Sequence, residues 1–289
     1  MSDGADGIGS LARHVEKWSP EPVEQVDVVR RRDLVALART LGLDEDHHAG
    51  THAPILAHWT SFHDWLPTAD LGEDGHPADG HFFPPIPHRR RMFAGSTVMA
   101  QAPLRVDVET VARTSVLSVT PKTGRSGEML FVTMRTDYSQ GGRLCRTEDQ
   151  QIVYRSDDSA RPRPPVVTPV EPEPTAGATS VRRSMSPVVL FRFSALTANA
   201  HRIHYDQDYA TSVEGYPRLV VHGPLLATLM ADQVTVRWGA AGVRRFAFTL
   251  RSPVFVGDPF LVEHTGSDES ARVAVVTGDV VASADAERA

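Results

Sequence analysis

Three polar side chains that can move protons or bind water fall within six positions of the chain. Asn199, His201 and His204 occur in the stretch FSALTANAHRIHYD, which follows an apolar run. An imidazole has an unperturbed pKa of about 6.5, so it can both take and give a proton near neutrality. If the two histidines lie in a helical turn, their spacing of three puts them on one face. The cluster predicts an acid–base site at the end of a regular element.

Two other interpretations of these histidines stay open at this point. A histidine beside a core is more often a satisfied structural residue than a catalyst. Two histidines can also be zinc ligands. The sequence offers no third and fourth ligand at a suitable spacing, and HxxH without a neighbouring carboxylate is a weak metal motif. Proton transfer is therefore favoured, and no metal site is predicted.

Two further stretches carry groups that would suit a substrate. Gly223 lies in LVVHGPLL, where a helix is predicted to begin, and unpaired N–H groups at a helix start can polarise a carbonyl oxygen. A basic run in PIPHRRRMF would suit a phosphate or a carboxylate and consists of Arg89, Arg90 and Arg91. The plain alternatives are a helix-start turn for the first stretch and a solvated surface turn for the second.

A proline-rich segment separates the elements that must position these residues into two halves. Six prolines fall between Pro162 and Pro174, and proline fixes φ and removes a hydrogen-bond donor. The segment is therefore expected to be an extended, semi-rigid connector. We expect an N-terminal helical extension (residues 1–50), an N-terminal unit (51–160), a linker (161–184) and a C-terminal unit (185–289).

Each half has the pattern of a helix followed by antiparallel strands. In the first half, apolar spacing predicts helices within residues 26–42 and 53–66, and strands from Met92 onwards, with PKTGRSGE as a hairpin connection. In the second half, VVLFRFSALT predicts a buried strand, residues 220–234 a helix, and three strands follow. A helix packed on one face of an antiparallel sheet is an α+β architecture. Two such units side by side could form one continuous sheet.

The amino-acid composition limits which kinds of binding partner and cellular location are expected. Of 289 residues, 41% are hydrophobic and 23% charged, so a normal core can form. The net charge of −6 argues against a nucleic-acid or anionic-membrane partner. The single cysteine, Cys145, favours a reduced compartment. No apolar run approaches the roughly 18 residues of a membrane span, and the start lacks the apolar region of a secretory signal. We therefore expect a soluble, cytoplasmic protein without a membrane partner.

The two motifs together resemble those of the (R)-specific enoyl-thioester hydratases of the hotdog fold. The first family motif runs F-x-x-L-S/T-G-D-x-N-P-I-H-x-D, and the matching residues here are Phe193, Leu196, Thr197, Ile203, His204 and Asp206. The second family motif is V-H-G-M-L, and the matching residues are Val221, His222, Gly223 and Leu225. The chain is most similar to one branch of this family, the double-hotdog proteins that include mesaconyl-CoA hydratases and mitochondrial 3-hydroxyacyl-thioester dehydratase. The residues that carry this similarity are the motif N-x-H-R-I-H and the stretches GRSGEMLFVTMR and DGHPADGHFFPPIPHRRRMFAG.

The resemblance implies a double hotdog, in which each unit is a helix wrapped by a curved antiparallel sheet and only the C-terminal unit is catalytic. The implied reaction is the reversible hydration of a 2-enoyl thioester to a 3-hydroxyacyl thioester, carried by coenzyme A or an acyl carrier protein, without a cofactor. His204 would be the principal base and acid and His201 its assistant. The Gly223 amide, with Leu225, would polarise the thioester. The resemblance leaves room for further homo-oligomerisation.

The chain departs from the wider family at Asn199, where the family has an aspartate. An amide forms hydrogen bonds but cannot take a proton near neutrality. The acid–base work must therefore shift towards His204, with His201 or another group as its partner, while Asn199 orients water or substrate. Two alternatives stay open, a hotdog thioesterase and a non-catalytic acyl-thioester-binding partner of a heteromeric hydratase. The missing aspartate favours the second alternative and the paired histidines oppose it.

Overall fold

The computed structural model describes residues 11–124, 127–156 and 170–289. In these residues the strands form one antiparallel sheet in the order β1-β3-β4-β5-β2-β7-β10-β9-β8-β6. The strands are β1 (Val23–Val28), β2 (Arg89–Ala100), β3 (Glu109–Gly124), β4 (Gly127–Gln140), β5 (Arg143–Ser156), β6 (Thr179–Arg183), β7 (Val243–Leu250), β8 (Phe260–Gly266), β9 (Ser270–Val276) and β10 (Val280–Arg288).

The two halves of the chain meet in the middle of this sheet. Strand β2 of the first half pairs with β7 of the second, from Gly95 opposite Thr249 to Met99 opposite Arg245. Each half therefore extends the other's hydrogen-bonded ladder instead of presenting an open edge. The predicted continuous antiparallel sheet and the α+β class are confirmed.

The helices are α1 (Leu11–Val15), α2 (Arg31–Leu41), α3 (Glu45–His48), α4 (Pro187–Leu196) and α5 (Gly223–Trp238). Helix α5 packs on β7, β8, β9 and β10 and is the central helix of the second half. It is apolar around most of its circumference, as expected for a helix enclosed by its surroundings. Among the described residues, no helix is both long and apolar enough to cross a membrane.

The prediction of a strand at VVLFRFSALT is wrong, because this segment forms α4. Pro187 occupies the first turn, where its missing N–H costs nothing, and the Ser186 hydroxyl accepts a hydrogen bond from the backbone N–H of Val189. Leu190 and Phe193 are fully buried at a spacing of three. A short apolar run cannot distinguish a buried strand from a helix, and here the capping residues decide.

The helix predicted within residues 26–42 begins only at Arg31, since Val23–Val28 forms β1 against β3. The three predicted strands after α5 are four, because ARVAVVTGDVVASA folds back on itself. Strand β9 ends at Val276 and β10 begins at Val280, and the Thr277 N–H donates to the carbonyl of Asp279 across the turn.

The helix predicted within residues 53–66 is also wrong, since Ala57–Thr60 form only a single 3-10 turn. A buried charged network holds this turn instead. Glu148 accepts hydrogen bonds from His58 Nε2 at 2.7 Å, from Ser96 Oγ at 2.8 Å and from the Trp59 indole at 3.1 Å. Arg146 donates to His58 Nδ1 at 3.0 Å. These hydrogen bonds to residues distant in the sequence fix the conformation of the segment, although its apolar spacing weakly favours a helix.

The predicted linker, residues 161–184, is described only from residue 170 onwards, and residues 161–169 lie outside the described part. Within the rest, Thr179–Arg183 form β6 and pair with β8 at one edge of the sheet. The hairpin connection PKTGRSGE includes residues 125 and 126, which also lie outside the described residues, and the flanking strands β3 and β4 pair as expected. The boundaries of the units stay a prediction.

Candidate active site

His204 is the last residue of a short 3-10 turn, Arg202–His204, that follows α4. Its ring is buried, with 6% of the residue exposed. Nδ1 lies 2.7 Å from the carbonyl oxygen of Val220, so Nδ1–H donates to this oxygen and the tautomer follows from the geometry. Nε2 is then left with a lone pair, as a general base requires.

The surroundings of His204 keep its ring neutral. Burial lowers the pKa of His204 to about 4, against the Val220 hydrogen bond, which raises it, and a smaller lowering effect of His76. Loss of hydration penalises the imidazolium form more than one backbone acceptor stabilises it. At neutral pH the ring therefore presents an unprotonated Nε2.

His204 lies directly against the start of α5. Its ring stacks on that of His222, with centroids 3.6 Å apart and planes inclined by 21°. His222 immediately precedes the helix, and its Nε2 lies 2.8 Å from Ser194 Oγ on α4. The structure thus brings the two motifs of the sequence into contact.

Gly223 is the first residue of α5, and no side chain in the described part of the chain caps this helix. The first N–H groups of a helix lack intrahelical partners, so those of Gly223 and Leu225 suit a carbonyl oxygen of a substrate. The Leu225 side chain is fully buried, so only its backbone can serve in this way. A Cβ at position 223 would lie 2.3 Å from Cδ1 of Leu250, which shows how closely the surroundings approach this backbone. The thioester-binding role of both residues stays a prediction.

Asn199 and His201 form the turn that leads to His204. Asn199 Oδ1 accepts a hydrogen bond from the backbone N–H of His201 at 3.1 Å, which is the geometry of an Asx turn. The ring of His201 lies 5.5 Å from that of His204, nearly perpendicular to it. The Asn199 side chain therefore orients the turn by binding the backbone N–H of His201. The ring of His201 is next to that of His204.

A fourth histidine of this site was not predicted from the sequence. His76 belongs to the first half, and its ring centroid lies 4.1 Å from that of His201. Its Nδ1 is 3.0 Å from Oδ2 of Asp74, so a carboxylate and an imidazole form a hydrogen-bonded pair. Four imidazole rings therefore lie in a row, in the order His76, His201, His204 and His222. His76 lies in the stretch DGHPADGHFFPPIPHRRRMFAG, in which no local pattern shows that it meets a distant turn.

The loop that carries His76 is fixed to the C-terminal half. The backbone N–H of Arg202 donates to the carbonyl of Asp74 at 2.9 Å, and its guanidinium donates to the carbonyl of Glu73 at 3.0 Å. Gly75 has φ +86°, and a Cβ there would lie 2.0 Å from the carbonyl oxygen of Ala200. Only glycine permits this close approach, so position 75 is required for the docking of the loop.

Asp74 is the charged member of the pair. Burial raises its pKa, but hydrogen bonds from the His76 side chain and backbone outweigh this effect and hold the pKa of Asp74 well below its usual value. Asp74, His76 and His201 each offer a ligand atom, and these atoms lie within 4.8 Å of one another, a spacing that would also admit a metal ion. In this structure the carboxylate accepts the Nδ1–H of His76, so a hydrogen bond holds the pair together.

The basic run lies on β2, beside this loop. The Arg89 guanidinium donates to the carbonyl of Ala78 at 2.9 Å and lies 3.4 Å from the carboxylate of Asp79. Arg89 and Arg91 both lie over the ring of Phe83. Arg89 therefore already fixes the segment that follows His76. A phosphate or carboxylate site at Arg89, Arg90 and Arg91 stays a prediction.

Solved structures of similar shape define the class of fold. A MaoC-like dehydratase from Phytophthora capsici superposes with a TM-score of 0.67 at 14% identity, covering 93% of this chain and 95% of that one. A conserved hypothetical protein of Mycobacterium tuberculosis, described as a double hotdog, superposes with a TM-score of 0.57 at 15% identity, covering 94% and 96%. The fold is a double hotdog, as the resemblance implied.

Sequence comparison identifies the family within this class. The family model described as hydroxyacyl-thioester dehydratase type 2 matches residues 56–256. Mesaconyl-C(4)-CoA hydratase of Chloroflexus aurantiacus is 43% identical over 212 residues, which is 73% of this chain and 74% of that protein. The chain belongs to the hydroxyacyl-thioester dehydratase type 2 family, and the resemblance noted in the sequence is confirmed.

Proposed function

We propose that this protein catalyses the reversible addition of water to a 2-enoyl thioester, giving a 3-hydroxyacyl thioester. The observation that carries this proposal is the hydrogen bond from His204 Nδ1–H to the Val220 carbonyl. It fixes the tautomer and leaves Nε2 unprotonated beside the start of α5. Family membership supports the same reaction class.

The reaction needs a base for water, an acid for C2 and donors for the charge that develops on the thioester oxygen. His204 Nε2 is the base that takes a proton from water as its oxygen bonds to C3. The free N–H groups of Gly223 and Leu225 receive the enolate oxygen, a contribution typically worth about 10²–10³ in rate for one such donor. Asn199 orients the turn, and His201 assists His204.

We infer that the substrate is an acyl-CoA and that mesaconyl-CoA is the first compound to test, since a relative with this name is 43% identical. A dicarboxylic acyl group requires a cationic partner, and Arg89, Arg90 and Arg91 are the residues we assign to a substrate phosphate or carboxylate. A cytoplasmic location and assembly into a homo-oligomer belong to this proposal as well.

The test is a substrate panel with the purified protein. Mesaconyl-CoA, crotonyl-CoA and crotonyl-acyl carrier protein are each incubated, and loss of the conjugated-thioester absorbance is followed together with release of free thiol. Butyryl-CoA, which has no double bond, is the matched control for hydrolysis. Loss of conjugation without thiol release supports the proposal. Thiol release from butyryl-CoA would indicate a thioesterase, and binding without turnover on any compound would indicate a non-catalytic acyl-thioester-binding protein.

A further inference from the structure

The residues assigned to the active site so far do not include a general acid that can protonate C2 of the substrate. Asn199 cannot take a proton, and its oxygen already accepts the N–H of His201. His204 can accept a proton at Nε2, but burial disfavours its charged form. The reaction must nevertheless deliver a proton to C2 and restore the base after each turnover.

We propose that His76, positioned by Asp74, is the second acid–base group of this site, so that the catalytic centre is built from both halves of the chain. This inference rests on the proposed hydration reaction. It assigns His76 as a catalytic residue and Asp74 as a positioning residue. It also gives the first half a chemical role beyond that of a binding surface.

The Asp74–His76 pair has the geometry of a working acid–base dyad. Asp74 Oδ2 accepts Nδ1–H of His76 at 3.0 Å, which fixes the ring and leaves Nε2 to exchange protons. A carboxylate in this position orients an imidazole and stabilises its protonated form. Among the described rings of the row, His76 is the one with a hydrogen-bonded carboxylate beside it.

The placement of the dyad is specified by several contacts. Arg202 binds the backbone at both Glu73 and Asp74, and its own guanidinium is held by Asp206 Oδ2 at 2.8 Å. Gly75 allows the loop to touch Ala200. Among the described residues, the titratable groups in contact with His76 are Asp74, on its own loop, and His201, with His204 one ring further along the row.

The proposed cycle balances with the groups on this chain. An O–H bond of water breaks, its oxygen bonds to C3, and the proton passes to His204 Nε2. The π electrons of the double bond move to C2 and the thioester oxygen as an enolate. The imidazolium of His76 then gives its proton to C2, and the thioester carbonyl re-forms. His201, whose ring contacts those of both His204 and His76, then carries the proton from His204 back to His76.

The test compares His76→Gln, Asp74→Asn and the control His47→Gln on the enoyl thioester that the wild-type protein hydrates. His47 is a surface histidine 3.9 Å from Asp44, so it matches the pair without lying in the row of rings. We expect His76→Gln to lower kcat by about 10²–10⁴ with little change in KM, since general acid–base help is typically of this size. The control variant should match the wild type.

Two further readouts distinguish a proton carrier from a structural residue. Added imidazole should restore part of the activity of His76→Ala, which a purely structural role would not allow. In Asp74→Asn, His76 loses the carboxylate that orients its ring, so kcat should fall with little change in KM. If His76→Gln folds poorly, the imidazole experiment on His76→Ala decides the question.

The outcomes separate this inference from the proposed function. Inactivity of the wild-type protein on the whole panel would overturn both. Normal kcat in His76→Gln, or no effect of imidazole on an impaired His76→Ala, would overturn only the role of His76. Stoichiometric metal in the purified protein, with activity lost on dialysis against EDTA, would also overturn it in favour of a metal site at Asp74, His76 and His201. Full activity without metal supports the dyad.

Discussion

The ring of His204 is stacked on the ring of His222, with centroids 3.6 Å apart. His204 belongs to the turn after α4, and His222 precedes α5, so this single contact joins the proposed base to the proposed thioester-binding amides. Two buried rings in such contact cannot both be charged at acceptable cost. The stacking therefore disfavours the charged form of His204, and the hydrogen bond of Nδ1 to the Val220 carbonyl leaves the lone pair of Nε2 for the reaction.

The variant His204→Asn tests this assignment more sharply than removal of the side chain. Asparagine can keep an N–H donor near the Nδ1 position for the Val220 carbonyl, but it has no atom in place of Nε2. We expect turnover of the enoyl thioester to fall by about 10²–10⁴, while the thermal midpoint changes little. Steady-state kinetics and thermal unfolding measured on the same preparation check this. Near-normal kcat in His204→Asn would remove His204 from the proton transfer.

Asn199→Asp is expected to retain activity, whereas Asn199→Ala is expected to lose about 1 kcal/mol of stability, the usual size of a lost side-chain cap, and part of kcat. Both Asn and Asp can accept the backbone N–H of His201, and this acceptor fixes the turn before His204. Alanine removes the acceptor. Urea unfolding and kcat measured for the two variants test this difference. Equal behaviour of the two variants would show that the Asx turn does not position the site.

Sequence patterns alone could predict half of this site. The fold class, the C-terminal histidines and the start of α5 follow from motifs that are contiguous in the chain. His76 could not be found in this way, because its contact with His201 depends on the docking of a loop from the other half. That docking depends on Gly75 and Arg202, which look unremarkable in sequence.

The error at α4 has a related cause. The apolar run there has no alternation that would distinguish a strand from a helix, and the deciding signal is the pair Ser186 and Pro187 before it. Capping residues were thus more informative than hydrophobicity. In the first half, by contrast, the helix predicted within residues 53–66 does not form, and its residues His58 and Trp59 bind Glu148 instead. The members of this network come from three separate segments, so no local pattern predicts it.

Glu148→Gln is predicted to lower the free energy of unfolding by about 3–5 kcal/mol, since breaking a buried ion pair leaves an uncompensated charge. Glu148 and Arg146 are both fully buried, and His58 bridges them. Burial raises the pKa of Glu148, but His58, Ser96 and Trp59 outweigh it and keep the pKa below its usual value. The carboxylate is therefore charged and balances the guanidinium.

The neighbouring residue on the same strand supplies the control for this prediction. Asp149 forms a two-bond ion pair with Arg135 at 2.7 Å on a partly exposed face. Asp149→Asn should cost at most about 1 kcal/mol, as is usual for pairs near the surface. Urea unfolding of both variants tests the contrast. A loss in Glu148→Gln no larger than that in Asp149→Asn would show that the buried network does not stabilise the fold.

The protein is predicted to lose stability as the pH falls below about 6.5, the pKa of histidine in an unfolded chain. Burial lowers the pKa values of His58, His204 and His222, and that of His204 to about 4. Between these pH values the unfolded chain binds more protons than the folded one, so acidification favours unfolding. The stabilising effect of a neutral His204 is fully present above about pH 6.5 and is lost as the pH falls to about 4, a change on the order of 3 kcal/mol for this residue alone.

Urea unfolding at a series of pH values from about 7.5 down to about 4.5 measures this slope. In His204→Asn the slope should be shallower, because asparagine does not titrate, and the variant should become more stable than the wild type as the pH falls. His47→Gln alters a surface histidine and should leave the slope unchanged. A free energy of unfolding that stays constant from about pH 7 to pH 5 would contradict the prediction, because three buried neutral imidazoles require a loss over that interval.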